Sequence, residues 1–415
     1  MQSIPILPSG ASFRKQYKVA GNHMKIITRT IWILSLVSLF TDMASEMLYP
    51  VMPVFLRSIG FSVLLIGVLE GTAEAVAGLS KGYFGKRSDV SGRRLPFVQL
   101  GYALSAISKP MMALFVYPLW IFFARTVDRL GKGVRTGARD ALLSDESSKE
   151  NKGKVFGFHR SMDTLGAVFG PLIALIYLYF FPGDYKRLFL IAFLPGIAAT
   201  CFTMVIRERP KLKIVTNPEK KTNAFAIFSY WKSSPSNYKK LLIALLAFAL
   251  FNSSDAFLLL KMKESGLTDT YVIGIYIFYN LVYALLAWPI GILADKIGLK
   301  RIFIAGIVVF AIVYGGFALN HSRILFFVFF ALYAAYAAAT EGVSKAWISN
   351  IVPRPDTATA IGSFAGLQSI CALVASSLTG LLWLKYGPTV TFMITCCASL
   401  PVIVYLMIFT SSPRD

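Results

Sequence analysis

The sequence predicts an all-α membrane protein with twelve transmembrane helices arranged as two pseudo-symmetric six-helix bundles. The first observation behind this prediction is composition: of 415 residues, 56% are hydrophobic and only 15% are charged, which is outside the range of soluble globular domains. The second is a loop motif that occurs twice at a fixed separation. The third is a series of apolar stretches, each long enough to cross a bilayer, joined by short basic segments.

The repeated loop motif indicates two homologous halves. Its glycines, aspartate and basic residues recur 206 positions later on nearly the same spacing, and the segment 135–143 matches 341–349 at the same offset. Two separated matches at one offset imply a duplicated unit. The two copies of the loop are Gly85, Asp89, Gly92, Arg93 and Arg94 in the first half and Gly291, Asp295, Gly298, Lys300 and Arg301 in the second.

Twelve apolar stretches predict the helices, because about 20 apolar residues are needed for one span. The fourth is interrupted by charges, and its length and its equivalence to the tenth support it. The predicted spans are 31–56, 63–84, 95–116, 119–143, 155–181, 188–206, 241–260, 272–294, 302–319, 324–348, 358–384 and 390–409. They divide the chain into a cytoplasmic N-terminal segment (1–30), a first bundle (31–206), a cytoplasmic linker (207–240), a second bundle (241–409) and a cytoplasmic tail (410–415).

The charge distribution predicts the orientation of the chain. Lys and Arg number 42 against 21 Asp and Glu, and they cluster in the connections that follow even-numbered helices. Cytoplasmic loops carry such an excess of Lys and Arg, so both termini are expected in the cytoplasm. The same clustering argues against nucleic acid as a partner. The four cysteines lie in apolar stretches without C-x-x-C spacing, so no metal site is expected.

The loop motif, G-x-x-x-D-x-x-G-R-R, resembles the signature that the major facilitator superfamily carries between its second and third helices. In that family the loop latches the cytoplasmic side when the transporter is open outward, so the resemblance assigns a cytoplasmic gate to Asp89, Arg93 and Arg94. Val90 stands where the family usually has a basic residue. We also expect a monomer in a bacterial cytoplasmic membrane. The other gate candidates, in the second copy or near cytoplasmic helix ends, are Arg135, Arg139, Asp163, Asp295 and Lys300.

The fifth predicted helix carries a second motif, Gly166-x-x-x-Gly170-Pro171. Small residues four apart let helices pack closely, and a proline bends a helix by freeing a backbone carbonyl. The motif resembles one found in the drug and solute antiporters of the same superfamily. Plain helix packing is the alternative reading.

Ionisable residues are concentrated inside the first predicted bundle. Each costs about 2.5–3.5 kcal/mol on insertion scales, so such residues normally face a cavity or a partner. Their spacing places each set on one helix face. They are Asp42 and Glu46 on the first helix, Glu70 and Glu74 on the second, and Arg125, Arg129 and Lys132 on the fourth.

Counting about 1.5 Å per residue predicts two stacked charge layers. With two acids against one base in each, one carboxylate should exchange a proton, as a proton-coupled carrier requires. An ion-pair network that only fixes helix packing is the alternative. The layer near the midplane holds Asp42, Glu74 and Arg129, and the layer one turn further out holds Glu46, Glu70 and Arg125.

The second half has different chemistry at the equivalent positions. It offers an aromatic and amide wall for the organic part of a substrate, although ordinary packing is an even alternative for each tyrosine. Glu341 and Lys345 are four apart, which predicts a pair on one helix, and Asp255 is a further candidate for proton binding. The wall residues are Tyr276, Tyr279, Asn280, Tyr283 and Gln368.

Together these features predict a secondary transporter that moves a small organic solute by alternating access. Proton-coupled antiport and efflux is the leading interpretation, with Arg125, Arg129 and Lys132 as partners of the carboxylates or of the substrate. Proton-coupled uptake of an organic anion or a siderophore-like metal chelate, and carboxylate-based metal ion export, remain open. A membrane sensor that binds without transport is a rival from another class. No constellation for nucleophilic catalysis or nucleotide binding is present in the sequence, so neither an enzyme nor a cofactor beyond the proton gradient is expected.

Overall fold

The structure is a computed structural model that describes residues 26–49, 51–52, 55–56, 59–61, 63–208, 226–320 and 322–410. Side chains at 63–68, 70–71, 226–229, 269–270 and 273 are not described. Most of the predicted N-terminal segment and tail and half of the predicted linker therefore lie outside the described residues, and so does the side chain of Glu70.

The helices in the described part of the chain follow the predicted order, and we number them α1–α12 accordingly. A separate short helix, Ala226–Ser233, belongs to the linker. The last two helices follow each other without a loop and are separated by a kink at Gly387. The φ of this residue, 78°, is in the left-handed region that glycine tolerates. The bounds are α1 Arg29–Glu46, α2 Val63–Ser91, α3 Leu95–Leu114, α4 Pro118–Asp145, α5 Lys152–Phe180, α6 Tyr185–Met204, α7 Ser236–Ala249 and Ala256–Glu264, α8 Asp269–Ile297, α9 Leu299–Leu319, α10 Arg323–Ile351, and α11 and α12 before and after the kink in Thr357–Phe409.

Helix α4 confirms the span that hydropathy alone would miss. It is continuous although Arg125, Asp128, Arg135 and Arg139 are all buried along it. Six helical stretches of the described residues are long and apolar enough to cross a membrane by composition, and α4 is not among them. Its charges are tolerated because α4 packs against α2 and α3, which supply polar partners in place of lipid.

Two predicted spans differ from the structure. The first was expected over roughly 31–56, but α1 ends at Glu46, and turns at 47–49 separate it from the helical residues 52 and 55–56. The seventh was expected over 241–260, but the helix is interrupted at residues 250–255. That interruption holds the polar run Asn252-Ser253-Ser254-Asp255, whose side chains compete for the backbone hydrogen bonds of a helix.

The two halves meet along two symmetry-related helix pairs. Helix α2 packs on α11, and α5 packs on α8. The offset of 206 residues relates α2 to α8 and α5 to α11, so each contact is the counterpart of the other. Within the halves, α1 packs on α5 and α8 packs on α10.

The linker helix packs against the second half. Tyr230 is buried with its ring 5.4 Å from that of Tyr238, and the Tyr238 hydroxyl donates to the Ala360 carbonyl at 2.9 Å. Burial raises the pKa of the Tyr230 phenol above its ordinary value, so the phenol stays neutral. The aromatic part of the linker is therefore helical and joined to α11.

Candidate transport site

The first copy of the repeated loop joins the two halves through its aspartate. Asp89, near the end of α2, accepts from the backbone N–H of Thr359 at 2.7 Å and from its hydroxyl at 2.8 Å. The backbone N–H of Ala358 donates at 3.4 Å. These are the unsatisfied donors at the N-terminus of α11, which attracts an anion.

Arg94 holds that aspartate in place and extends the contact. Its guanidinium lies 3.2 Å from Asp89 and 3.1 Å from Asp145. It also donates to the backbone carbonyl of Arg354, across the boundary between the halves, at 3.0 Å. Arg93, by contrast, is exposed. Of the three residues assigned to the gate from the first loop, Asp89 and Arg94 contact the opposite half.

The second copy makes the reciprocal contact. Asp295, near the end of α8, accepts from the backbone N–H of Gly153 and of Lys154, both at 2.7 Å, at the N-terminus of α5. Asp89 and Asp295 are 206 residues apart, and so are Gly153 and Thr359. The same offset that relates the sequences therefore relates the two capping contacts. We call the end of the molecule that carries them the latch end.

Glycines let the helices approach closely at the latch end. A Cβ on Gly85 would collide with the Ala358 carbonyl oxygen, and one on Gly291 would collide with the Gly153 carbonyl oxygen. Gly85 and Gly291 are the first residues of the two loop copies. The structure is thus closed at the latch end by two glycine contacts and two aspartate caps.

Two ion pairs cross between the halves further into the bundle. Arg160 on α5 lies 2.6 Å from Glu341 on α10, and its Nε donates to the Tyr283 hydroxyl at 2.7 Å. Lys345 lies 2.8 Å from Asp140 on α4. The predicted pairing of Glu341 with Lys345 is therefore wrong, because each has a partner in the opposite half, which a spacing along one helix cannot reveal.

Polar and charged side chains are exposed in mid-helix, away from the latch end. Glu74 is 48% exposed although it lies about 20 Å along α2 from the latch end. It reaches Arg129 at 3.8 Å, the contact predicted for the midplane layer. Glu341 is 44% exposed, and the side chains of Lys132 and Gln368 are exposed too. These exposed charges lie in mid-helix, between the closed latch end and the opposite end of the molecule. They indicate a polar cavity that opens toward the opposite end.

Asp42 on α1 lies among several other charged side chains. It is within electrostatic range of two other carboxylates, Glu46 and Asp163, and of two cations, Lys132 and Arg160. Both Asp42 and Glu46 are partly buried. Three neighbouring carboxylates repel one another strongly in a medium of low dielectric constant.

Arg125 of the predicted outer layer has a partner on its own helix. It is within electrostatic range of Glu46, and it lies 3.4 Å from Asp128. Asp128 also binds the fully buried Lys109 of α3 at 2.7 Å. These three charges form a buried network between α3 and α4.

The predicted wall of the second half is only partly at the cavity. Tyr276 is partly exposed, whereas Tyr279, Asn280 and Tyr283 are buried. Tyr279 stacks among aromatic rings, with the centroid of Tyr333 at 5.4 Å. Packing therefore accounts for most of the wall, with Tyr283 contacting Arg160.

Four other gate candidates do not cross between the halves. Lys300 donates to carbonyls near the end of α12, within its own half. Arg135 stacks on Tyr102 and donates to Ser105. The remaining two, Arg139 and Asp163, share Ser38, which donates to Asp163 and accepts from Arg139; Arg139 also pairs with Asp140 and Asp163 with Arg160.

Three cations that the sequence did not single out have structural partners. Arg160 and Lys109 are described above, and Lys81 on α2 donates to Ser369 on α11 at 3.1 Å, across the halves. Each is a basic residue inside a predicted membrane span. That rule alone would have marked them, since an ionisable residue in a membrane helix is expected to have a partner.

Comparison with known proteins agrees with this architecture. The Major Facilitator Superfamily model matches residues 34–278 and 241–415. An uncharacterised MFS-type transporter of Methanocaldococcus jannaschii is 32% identical over 88% of this chain and 91% of that protein. A multi-drug resistance efflux pump of Streptococcus pneumoniae, PmrA, is 23% identical over 66% of this chain and 69% of its own.

A solved structure shares the fold. The human organic anion transporter MFSD10 (TETRAN) superposes with a TM-score of 0.77, covering 91% of this chain and 99% of its own, at 14% identity. The predicted fold and family are confirmed, and the family consists of transporters and not of enzymes. The chain is a multi-pass membrane protein that belongs to the major facilitator superfamily of secondary transporters.

Proposed function

We propose that this transporter exchanges protons for a small organic solute and exports that solute. The observation that carries the proposal is the half-exposed Glu74, in mid-helix and only loosely paired with Arg129, above a closed latch end. In this conformation Glu74 is accessible from one side of the membrane, and alternating access would expose it to the other side. It is therefore placed to carry a proton across the membrane. The latch end is the cytoplasmic end, by the excess of basic residues in its loops.

The crowding of carboxylates supports proton coupling. Asp42, Glu46 and Asp163 act on one another within the first half, and Arg160 and Ser38 already bind Asp163. A proton on Asp42 or Glu46 relieves the repulsion that remains. Loss of that proton restores the repulsion. The charge state of these carboxylates therefore follows the pH on the side of the membrane to which the cavity opens.

Arg160 connects that charge state to the movement of the halves. It pairs with Asp163 in its own half at 2.7 Å and with Glu341 in the other at 2.6 Å. A substrate group or a proton that takes Glu341 away from Arg160 removes a contact that holds the two halves together. Arg160 remains paired with Asp163, so the guanidinium is not left without a partner when the halves separate.

Export of an amphipathic solute is supported by the fifth helix and by one relative. Gly166 and Gly170 lie against the backbone of α1 at residues 39–47, where any Cβ would collide, so α1 and α5 move together. The resemblance of this stretch to antiporters agrees with the similarity to the efflux pump PmrA. The cavity presents both signs of charge, through Glu74 and Lys132, beside the partly exposed ring of Tyr276. Because the cavity is formed within one chain, we propose a monomer.

The proposal is tested in proteoliposomes with an imposed pH gradient. Candidate solutes are first ranked by the thermal shift they give with the purified protein, across amphipathic cations, organic anions and siderophores. The best binder should move against the proton gradient in wild type, and Glu74→Gln or Asp42→Asn should abolish the coupling. Asp184→Asn is the matched control, because that carboxylate caps α6 within the first half. Movement with the proton gradient would instead establish uptake, and binding without any flux would establish a sensor.

A further inference from the structure

The interruption in α7 leaves backbone and side-chain oxygens unsatisfied inside the second half. Among the described residues, no hydrogen bond is accepted by the carbonyls of residues 249–253. The amide oxygen of Asn252 and the hydroxyl of Ser253 are buried without a hydrogen-bond partner. Carbonyl groups with no partner inside a membrane bundle are costly unless they line a cavity or bind a ligand.

A carboxylate and two tyrosines complete the same cluster. Asp255, at the end of the interruption, accepts from the Tyr333 hydroxyl of α10 at 2.6 Å. Within the described residues, no lysine or arginine forms an ion pair with it. The buried Tyr314 hydroxyl of α9 lies next to Ser253 and Tyr333, but forms no hydrogen bond of ordinary geometry. The cluster is therefore rich in oxygen and includes one carboxyl group that forms no ion pair among the described residues.

We propose that the interruption of α7 binds a sodium ion, held by the carboxylate of Asp255, the hydroxyl of Ser253, the amide oxygen of Asn252 and backbone carbonyls of residues 249–253. Unwound carbonyls in discontinuous membrane helices coordinate monovalent cations in other transporter folds. Here the two orphaned side-chain oxygens and the unpaired carboxylate point to the same use. Tyr314 and Tyr333 bring α9 and α10 to the site.

The donor set selects among cations. One carboxylate supplies a single negative charge, whereas Ca²⁺ and Mg²⁺ sites usually include several carboxylates or retained waters. Transition metals prefer imidazole or thiolate, and the cluster has neither. A proton alone would bind Asp255 but would leave the Asn252 and Ser253 oxygens without a partner. A monovalent metal ion satisfies both the charge and the neutral oxygens.

A bound sodium ion would join the two pieces of α7 to each other. Asp255 reaches α10, the helix that carries Glu341, through its contact with Tyr333. Occupancy would therefore stiffen the second half next to the ion pair that closes the cavity. The site uses none of the first-half carboxylates proposed to carry protons, so the two sites are separable.

The test is the thermal stability of the full purified chain as NaCl replaces choline chloride at constant ionic strength, with KCl in parallel. We expect the melting temperature to rise saturably with Na⁺ alone, because a ligand bound only by the folded state stabilises it. Asp255→Asn should abolish the response. Ser253→Ala should raise the half-saturating Na⁺ concentration roughly tenfold, equivalent to about 1.4 kcal/mol.

Ser254→Ala is the matched control. Its side chain is exposed, and its hydroxyl accepts from the backbone N–H of Ala256, so the Na⁺ response should keep its wild-type midpoint even if the basal melting temperature changes. Because Ser253→Ala and Ser254→Ala remove the same group one residue apart, the comparison stands even if Asp255→Asn does not fold. An equal shift when KCl replaces choline chloride, or equal midpoints in the two serine variants, would overturn the proposal. Proton-driven flux measured without Na⁺ tests the exchange function independently.

Discussion

Replacing Asp89 by asparagine should open the latch end. The side chain accepts from the backbone N–H and the hydroxyl of Thr359 at 2.7 and 2.8 Å, and its charge pairs with Arg94 at 3.2 Å. Asparagine is as good a helix cap as aspartate, but it loses the ion pair and turns an N–H₂ group toward a donor. Hydrogen bonds to charged groups contribute about 1.5–3 kcal/mol each.

We expect the loss to fall at the lower end of that range, because Arg94 keeps its contact with Asp145. About 1.5 kcal/mol shifts the ratio of latch-closed to latch-open molecules roughly tenfold toward the open state. Asp295→Asn should act in the same direction, since Asp295 caps α5 as Asp89 caps α11. The two contacts use different helices, so their effects should add.

The assay is an electron paramagnetic resonance distance between spin labels at the latch end. Val90 and Ile297 are exposed there, one in each half, and can be labelled after the four natural cysteines are replaced. Asp89→Asn should enlarge the long-distance population. Asp184→Asn is the control, because its carboxylate accepts from Arg187 N–H within one half. Unchanged distances in Asp89→Asn and Asp295→Asn, or an equal change in the control, would refute the reasoning.

Three further outcomes follow from the packing and the ion pairs. Gly85→Val should favour the latch-open state more strongly than Asp89→Asn does, because its side chain would meet the backbone of α11; the same distance measurement checks this, and a closed distribution would contradict it. Glu341→Gln should weaken the contact with Arg160 and increase the open population with little change in melting temperature, so a large loss of stability would show a packing role. Lys109→Met leaves Asp128 with a weaker partner in a buried site, and breaking a buried pair costs about 3–5 kcal/mol; an unchanged unfolding midpoint in detergent would argue against this pairing.

The sequence predicts the architecture well because the information is local and repeated. Apolar length sets each span, and the offset of 206 residues identifies α4 through its equivalence to α10 even though its charges hide it from hydropathy. The same offset predicts that Asp89 and Asp295 have equivalent roles, and they cap equivalent helices. Such features need no knowledge of how the halves meet.

Partners between the halves could not be read from the sequence. Glu341 and Lys345 are neighbours along α10, yet Arg160 and Asp140 bind them from the other half, because the rotation of α10 about its axis decides which neighbours they meet. In the same way, the rotation of α8 about its axis decides that Tyr279 is buried. The break in α7 could have been predicted from the four successive polar residues within an apolar stretch. Irregular backbone at membrane depth is tolerated only where it is buried in protein or lines a cavity, so such a polar run marks a special site.

In the proposed mechanism, Glu74 and the partly buried Asp42 couple protons to alternating access. The measurement is flux of the best-binding solute into or out of proteoliposomes under an imposed pH gradient. Wild type should move the solute against the proton gradient, Glu74→Gln and Asp42→Asn should bind it without coupled movement, and Asp184→Asn should behave as wild type. Solute movement that is indifferent to the pH gradient, or coupling that survives both carboxylate substitutions, would contradict this mechanism.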